Sequence, residues 1–173
     1  ARDLLIASVL CPDPVMYIDD RWLYEQTDDL EPIVEFDLTE EGPRCLAAGT
    51  DVTIVGSSYS TLLAMQARTL LSERGISAEV IDLRILNPFN PDVIVKSVKK
   101  TGRLLVVDGG WRTCGMAGEV IANVVEHLPP QMLKVAPRRI TLPDAPAPTS
   151  RVLETAYYTT AEQIVSAILK LLA

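Results

Sequence analysis

The sequence predicts an α/β protein, a three-layer α/β/α sandwich around a mostly parallel sheet of about five strands. Two observations support this prediction. After Gly49, short apolar runs rich in Val, Ile and Leu alternate with longer segments of helical periodicity, and Gly, Pro and Asn separate them. Strands that alternate with helices of this length form a parallel sheet covered on both faces, since right-handed crossovers place helices on both sides.

The individual elements follow from apolar spacing and from residues typical of helix ends. Gly75 suits the end of one helix, and Pro91 suits the first turn of the next. Thr160 and Gln163 have the spacing of a capping box at the start of the last helix. The predicted strands are 51–58, 78–84, 103–109 and 133–143, and the predicted helices are 59–75, 91–102, 115–128 and 160–173.

The amino-terminal part is less regular. Residues 1–10 have apolar spacing typical of the end of a helix, and residues 14–19 ("PVMYID") predict a short apolar strand. A polar, acidic stretch follows, without clear periodicity. We interpret residues 36–48 as a linker that divides the chain.

Composition and charge exclude several classes of function. The net charge of −7 argues against binding to nucleic acid or to an anionic membrane surface, because both would repel the chain. No apolar run approaches the roughly 20 residues of a membrane span. The three cysteines are too scattered for a disulfide framework or a zinc site, so they predict reduced thiols and a cytoplasmic or mitochondrial-matrix location.

Two loops follow predicted strands at the edge of the sheet where parallel α/β proteins bind ligands. The segment "DGGWRTCGMAG" (108–118) is rich in glycine, but it has neither the dinucleotide nor the P-loop spacing, and we interpret its glycines as a packing feature. Ser57, Ser58 and Ser60 precede a helix and form a candidate anion site. The favoured alternative is that Ser58 or Ser60 caps that helix.

Three further residues could carry chemistry, but each has a simpler structural interpretation. Asp108 could be an acid or base, although a single carboxylate without a visible partner is expected to be solvated. His127, the only histidine, falls in the last turn of a helix, where it would interact with free carbonyl groups. Cys114 precedes a helix without a neighbouring base, which predicts an inert thiol. No catalytic or metal-binding residue is therefore assigned.

Aromatic residues outside regular elements predict contacts with protein. Trp111 and Arg112 lie in the glycine-rich loop, and Trp22 and Tyr24 lie in the polar amino-terminal segment. Large aromatic side chains in such places are commonly buried against a partner or a neighbouring domain. From the residues alone, the chain is an acidic α/β domain with contact features.

The order of the motifs resembles a known family. "GTDVTIVGSS", "AEVIDLRILNPFNPDVIVKSVKKTGRLLVVDGGW", "GMAGEVIANVVE" and "APRRITLPDAPAPTSRVLE" are similar to the carboxy-terminal domain of the β subunit of thiamine-diphosphate-dependent 2-oxo acid dehydrogenases, and transketolase has a more distant version. The resemblance implies domain bounds of 49–173, with 36–48 as a linker. It implies that residues 1–35 are the tail of a preceding pyrimidine-binding domain.

The resemblance also implies what the domain does. In the family, thiamine diphosphate and Mg²⁺ bind in the intact enzyme, at a site formed by the α subunit and the pyrimidine-binding domain, so no cofactor is expected on this chain alone. The expected partners are an α subunit and a second β subunit in an α2β2 assembly. The peripheral binding domain of a dihydrolipoyl acyltransferase is a further possible partner, with Glu154 matching one docking region.

The expected function is therefore assembly and partner docking within an enzyme that decarboxylates pyruvate or a similar 2-oxo acid oxidatively, and the isolated chain is expected to be inactive. Two alternatives stay open. One is a stand-alone regulatory α/β domain that binds an anion or nucleotide. The other is the corresponding domain of a transketolase-like enzyme.

Overall fold

A computed structural model describes all 173 residues and divides them into two compact units, Ala1–Gly42 and Pro43–Ala173. The first unit contains α1 (Arg2–Leu10) and two 3₁₀ turns, Arg21–Leu23 and Leu38–Glu40. The predicted helix at 1–10 is confirmed. The predicted strand at 14–19 is wrong, because these residues pair with no strand of the sheet and a strand without a paired neighbour is not stable.

The second unit is the predicted α/β sandwich, and its sheet has five strands in the order β1-β3-β2-β4-β5. Neighbouring strands are parallel except for β1, which pairs with β3 in the antiparallel direction. The predicted fold class is thus confirmed. The strands are β1 (Arg44–Ala47), β2 (Val52–Gly56), β3 (Ala78–Asp82), β4 (Leu104–Trp111) and β5 (Arg138–Leu142); the helices are α2 (Tyr59–Ser72), α3 (Asp92–Thr101), α4 (Met116–His127), α5 (Arg151–Tyr157) and α6 (Ala161–Leu172).

Side-chain alternation along the central strands creates two separate cores. Successive side chains of a central strand point to opposite faces of the sheet, one towards α2 and α6 and the next towards α3 and α4. On β4, for example, Leu105 and Val107 join the first core, whereas Leu104 and Val106 join the second. Because both faces are covered, the strands are almost continuously apolar, as expected for a buried parallel sheet.

A polar cluster is embedded in the α3 face of the sheet. The Thr53 hydroxyl lies 2.7 Å from the Ser97 hydroxyl and 2.8 Å from the Thr101 hydroxyl. Glu79, on the neighbouring strand, forms an ion pair with Lys100 and accepts hydrogen bonds from Ser97 and from the Gly49 amide. Burial alone would raise the pKa of Glu79, but these hydrogen bonds outweigh it and hold the pKa below its ordinary value.

The helix ends follow the residues that predict them. Gly102, at φ 71°, ends α3 in the left-handed conformation that glycine adopts readily. The predicted capping box of Thr160 and Gln163 is present at the start of α6. None of the helices combines the length and apolar character needed to cross a bilayer.

Candidate functional site

Strands β2 and β4 are neighbours at the place where the order in which the chain adds strands to the sheet reverses. From β2 the chain continues to β3 on one side, and it then crosses to β4 on the other side. The segment after β2 enters α2 on one face of the sheet, and the segment after β4 enters α4 on the opposite face. In open parallel sheets, ligands bind where the chain diverges in this way, so these two loops form the candidate site.

The loop after β2 places the three predicted serines at the start of α2. Ser58 occupies the N-cap position with φ 51° and makes no side-chain capping hydrogen bond. Ser60 is a helical residue that is buried inside the first turn. Ser58 thus takes the predicted cap position, but its side chain makes no capping bond, and Ser60 does not cap the helix. The tight turn directs Ser58 away from the geometry that capping requires, and backbone bonds from Ser60 to Ser57 and from Thr61 to Ser58 form the turn.

Residues 108–117, at the carboxyl end of β4 and the turn that follows it, are called the Trp111 loop and are organised by Asp108. One carboxylate oxygen accepts a hydrogen bond from the Gly110 amide at 2.8 Å, and the other accepts one from the Ala117 amide, in the first turn of α4, also at 2.8 Å. Asp108 is only 9% exposed. The prediction that this side chain is solvated is wrong, because its partners are backbone amides of the loop that follows it.

Trp111 lies at the end of β4, in the middle of this loop, and 54% of its surface is exposed. Its neighbour Arg112 is also exposed. Further along, Asp144 accepts hydrogen bonds from the Thr113 amide at 3.0 Å and from the Thr113 hydroxyl at 2.8 Å. These bonds, led by that from the amide, hold the pKa of Asp144 below its ordinary value. Asp108 and Asp144 thus hold the loop through the amides of Gly110, Ala117 and Thr113, while the indole is exposed.

Helix α5 belongs to the same region. Its Tyr157 hydroxyl donates a hydrogen bond of 2.7 Å to the Ala145 carbonyl, next to Asp144. None of its seven residues is buried, and Val152 and Leu153 are 80% and 57% exposed. Glu154, the predicted docking residue, lies in this helix and is half-buried. The Trp111 loop binds Asp144 and α5 binds Ala145, so two adjacent residues connect them. We call the Trp111 loop and α5 together the contact surface.

A shallow depression of about 490 Å³ opens beside the start of α4. Its lining includes Cys114, Glu119 and Arg139. The Arg139 guanidinium donates a hydrogen bond to the Arg112 carbonyl at 3.1 Å, so it braces the Trp111 loop from β5. Cys114 is a free, exposed thiol.

Two further titratable residues have structural partners. His127 is the last residue of α4, as predicted, and its Nδ1 lies 2.7 Å from the Asn123 carbonyl one turn earlier in the same helix, which is not one of the free terminal carbonyls. Asp82, at the end of β3, accepts a hydrogen bond from the Thr61 hydroxyl at 2.9 Å. Burial raises the pKa of Asp82 above its ordinary value, although Thr61 and Arg84 act in the opposite direction.

The other two predicted contact residues lie in the first unit. Trp22 and Tyr24 are 50% and 65% exposed, at a 3₁₀ turn in which the Trp22 amide donates a hydrogen bond to the Asp20 carboxylate. The Tyr24 hydroxyl donates to Asp19, and this bond is the main reason that the pKa of Tyr24 is raised. Both rings are therefore presented on the surface of that unit, and their role as contact residues stays a prediction.

No group of three or more His, Cys, Asp and Glu side chains is arranged to hold a metal ion. The amino terminus of α4, where a diphosphate could bind amides, is already occupied by the Asp108 carboxylate.

The amino-acid sequence is similar to that of several curated proteins. It is 35% identical to the acetoin:2,6-dichlorophenolindophenol oxidoreductase subunit beta of Bacillus subtilis (strain 168), over 99% of this chain and 50% of the relative. It is 36% identical to the mitochondrial pyruvate dehydrogenase E1 component subunit beta of Dictyostelium discoideum, over 96% of this chain and 47% of the relative. The chain thus spans about half the length of the curated relatives it matches.

The fold is similar to that of solved structures. A structure described as "Split gene transketolase, inactive beta4 tetramer" matches with a TM-score of 0.70 and 26% identity, over 84% of this chain and 46% of the other. A 2-oxoglutarate:ferredoxin oxidoreductase from Magnetococcus marinus matches with a TM-score of 0.53 at 12% identity, which shows a shared fold alone.

A family description covers most of the second unit. The family "Transketolase, C-terminal domain" matches residues 44–164, which begin with β1 and end inside α6. Together with the five-stranded α/β sandwich, this match shows that the chain belongs to the transketolase C-terminal domain family.

Proposed function

We propose that this chain is the assembly domain of the β subunit of a thiamine-diphosphate-dependent 2-oxo acid dehydrogenase, and that it supports oxidative decarboxylation without carrying catalytic residues. The observation that carries the proposal is the contact surface. It presents Trp111 and α5 to solvent, while the polar groups beneath are fully engaged within the domain.

Helix α5 supports the assembly role most directly. A helix of seven residues is far shorter than the roughly 12–15 residues at which an isolated helix becomes marginally stable in water. Its stability must therefore come from packing, yet its apolar Val152 and Leu153 side chains are exposed in this chain. A partner that covers these side chains would supply the missing packing.

The partner we propose for the contact surface is a second copy of the β subunit. A relative of the same fold is described as a β4 tetramer, so a chain of this type associates with itself in that protein. The surface also carries both signs of charge, since Arg112 and Arg151 accompany Asp144 and Glu154. Mixed charge suits a two-fold contact in which each patch faces its own copy.

The remaining partners and the cofactor belong to the intact enzyme. We assign thiamine diphosphate and Mg²⁺ to a site outside this chain. We assign residues 1–35 to the end of a preceding pyrimidine-binding domain. The predicted linker, 36–48, is too long, because Arg44–Ala47 form β1 of the sheet, so we place the start of the assembly domain at Pro43. An α subunit completes an α2β2 enzyme, and Glu154 offers a docking point for the acyltransferase. The free cysteines support a cytoplasmic or matrix location.

Calorimetric titration of the chain with thiamine diphosphate and Mg²⁺ tests whether the cofactor site lies outside this chain. We expect no binding heat and no decarboxylase activity with pyruvate. Tight binding by this chain would contradict the proposal, because the cofactor would then have a complete site within these residues. The same titration with inorganic phosphate tests the alternative anion-binding function at Ser57, Ser58 and Ser60.

Sedimentation velocity of the Trp111→Ala variant tests the contact surface. Truncating a buried aromatic anchor commonly costs about 2 kcal/mol or more, so self-association should weaken by roughly 30-fold. Leu46→Ala is the matched control, because Leu46 is an exposed apolar residue on β1, at the opposite edge of the sheet. An unchanged sedimentation profile for Trp111→Ala, or an equal loss in both variants, would refute this assignment.

A further inference from the structure

The loop after β4 has the parts of a phosphate-binding turn, but one of its own side chains occupies the position of the phosphate. Asp108 ends the buried part of β4, and its two oxygens accept from the amides of Gly110 and Ala117 at 2.8 Å each. The Ala117 amide is one of the free donors in the first turn of α4, and such donors attract anions in other α/β proteins. A carboxylate therefore satisfies here what a bound anion satisfies elsewhere.

Glycines make room for this carboxylate. A Cβ atom at Gly110 would lie 3.1 Å from one Asp108 oxygen, and a Cβ atom at Gly115 would lie 3.0 Å from the other. At Gly115 the same atom would also lie 2.1 Å from the Trp111 carbonyl oxygen, which no side chain could tolerate. The glycine content of the loop is thus explained by close packing around an internal anion.

We propose that Asp108 is the resident anion of the α4 amino terminus, that it closes this terminus to external anions, and that it is the positioning residue for Trp111. The two bonds of Asp108 tie the start of the loop to its end, and Trp111 lies between them. Asp108 does this together with the pairing of Trp111 with Leu142 on β5 and the contacts of Thr113 and Arg112, but it is the buried charged group among them. This inference stands whether or not the contact surface binds a second copy.

Chemical rescue tests the inference. Asp108→Ala keeps the Cβ atom and removes only the carboxylate, and formate supplies a group of the same size and charge. Because the chain has two tryptophans, the Trp22→Phe background leaves Trp111 as the only indole. Fluorescence anisotropy then reports the mobility of Trp111, and thermal unfolding reports stability. Both are measured at concentrations where the chain is monomeric, in formate or in chloride at equal ionic strength.

The inference predicts a specific pattern. Asp108→Ala should unfold at a lower temperature and lose Trp111 anisotropy in chloride, and formate should restore both in a saturable manner. The parent protein should respond neither to formate nor to inorganic phosphate. Asp144→Ala, which removes an exposed carboxylate from the same loop, should show no formate effect, since water satisfies its donors.

Asp108→Asn keeps the shape of the side chain and covers the case in which the alanine variant does not fold. Its amide fills the site but can accept at only one oxygen, so Trp111 should be more mobile than in the parent, and formate should not restore it. Equal formate responses in the parent and Asp108→Ala, or phosphate-dependent stabilisation of the parent, would overturn the inference. So would an Asp108→Asn variant with parental anisotropy.

Discussion

Replacing Thr53 by valine removes the hydroxyl at the centre of the buried polar cluster and keeps the size and branching of the side chain. Four contacts link the cluster: Thr53 to Ser97, Thr53 to Thr101, Ser97 to Glu79, and Thr101 to the Arg103 carbonyl at 3.1 Å. The three hydroxyls carry three protons, so only three of these contacts can be hydrogen bonds at once.

The proton count assigns different importance to the three hydroxyls. Glu79 and the Arg103 carbonyl can only accept, so Ser97 and Thr101 donate their protons to them. Thr53 then donates to either Ser97 or Thr101, and neither acceptor depends on it. Thr53→Val should therefore leave no buried donor unsatisfied and should cost about 1 kcal/mol, the usual net contribution of one neutral hydrogen bond.

Ser97→Ala is the informative comparison, because it removes a hydrogen bond to the charged Glu79. Such bonds contribute about 1.5–3 kcal/mol, so this variant should be the less stable of the two. Urea denaturation followed by circular dichroism gives both free energies of unfolding. The reasoning is refuted if Thr53→Val costs as much as Ser97→Ala, because the Thr53 proton would then be essential to the cluster.

Two other predictions concern Asp82, on β3, and Gly49, between β1 and β2. Burial raises the pKa of Asp82, so the folded state binds this proton more tightly than the unfolded state does. The parent protein should therefore gain stability as the pH falls through the raised pKa towards the ordinary value of 3.8, and Asp82→Asn should lack this gain. A constant difference in the free energy of unfolding between the two proteins, from neutral pH to pH 3.8, would contradict this sign. Gly49→Ala would place a Cβ atom 2.2 Å from the Ala78 carbonyl carbon. The control, Gly75→Ala, has open space around the new Cβ atom but a φ of +73°, so it should cost about 1 kcal/mol. In the same assay, Gly49→Ala should therefore be clearly the less stable of the two.

The sequence was sufficient to predict the parallel sheet and its main helices, because each central strand is a buried apolar run and each helix has recognisable ends. It did not reveal β1 or α5. Strand β1 is short and lies at the edge of the sheet, where three of its four residues are exposed, so it has no apolar pattern. Helix α5 buries no residue, so its side chains show no buried face from which a helix could be predicted.

The site illustrates a different limit. The sequence predicts a solvated Asp108 because the real partners of this side chain are backbone amides, two and nine residues further along the chain. Every residue except proline has such an amide, so the residue types do not indicate which amides bind Asp108. Whether a loop returns to bind its own first residue depends on the path of the turn. The glycines at positions 110 and 115 were a usable signal, since they are needed where a backbone and a side chain approach closely.

Amide hydrogen exchange in α5 tests most directly whether this domain is an assembly element. At concentrations where the chain is monomeric, the amides of Arg151–Tyr157 should exchange with little protection, because the helix is short and exposed. At concentrations where the chain self-associates, they should become protected together with those around Trp111, while the central strands stay protected throughout. Strong protection of α5 in the monomer, or none in the assembled state, would contradict the proposal that a second copy covers this surface.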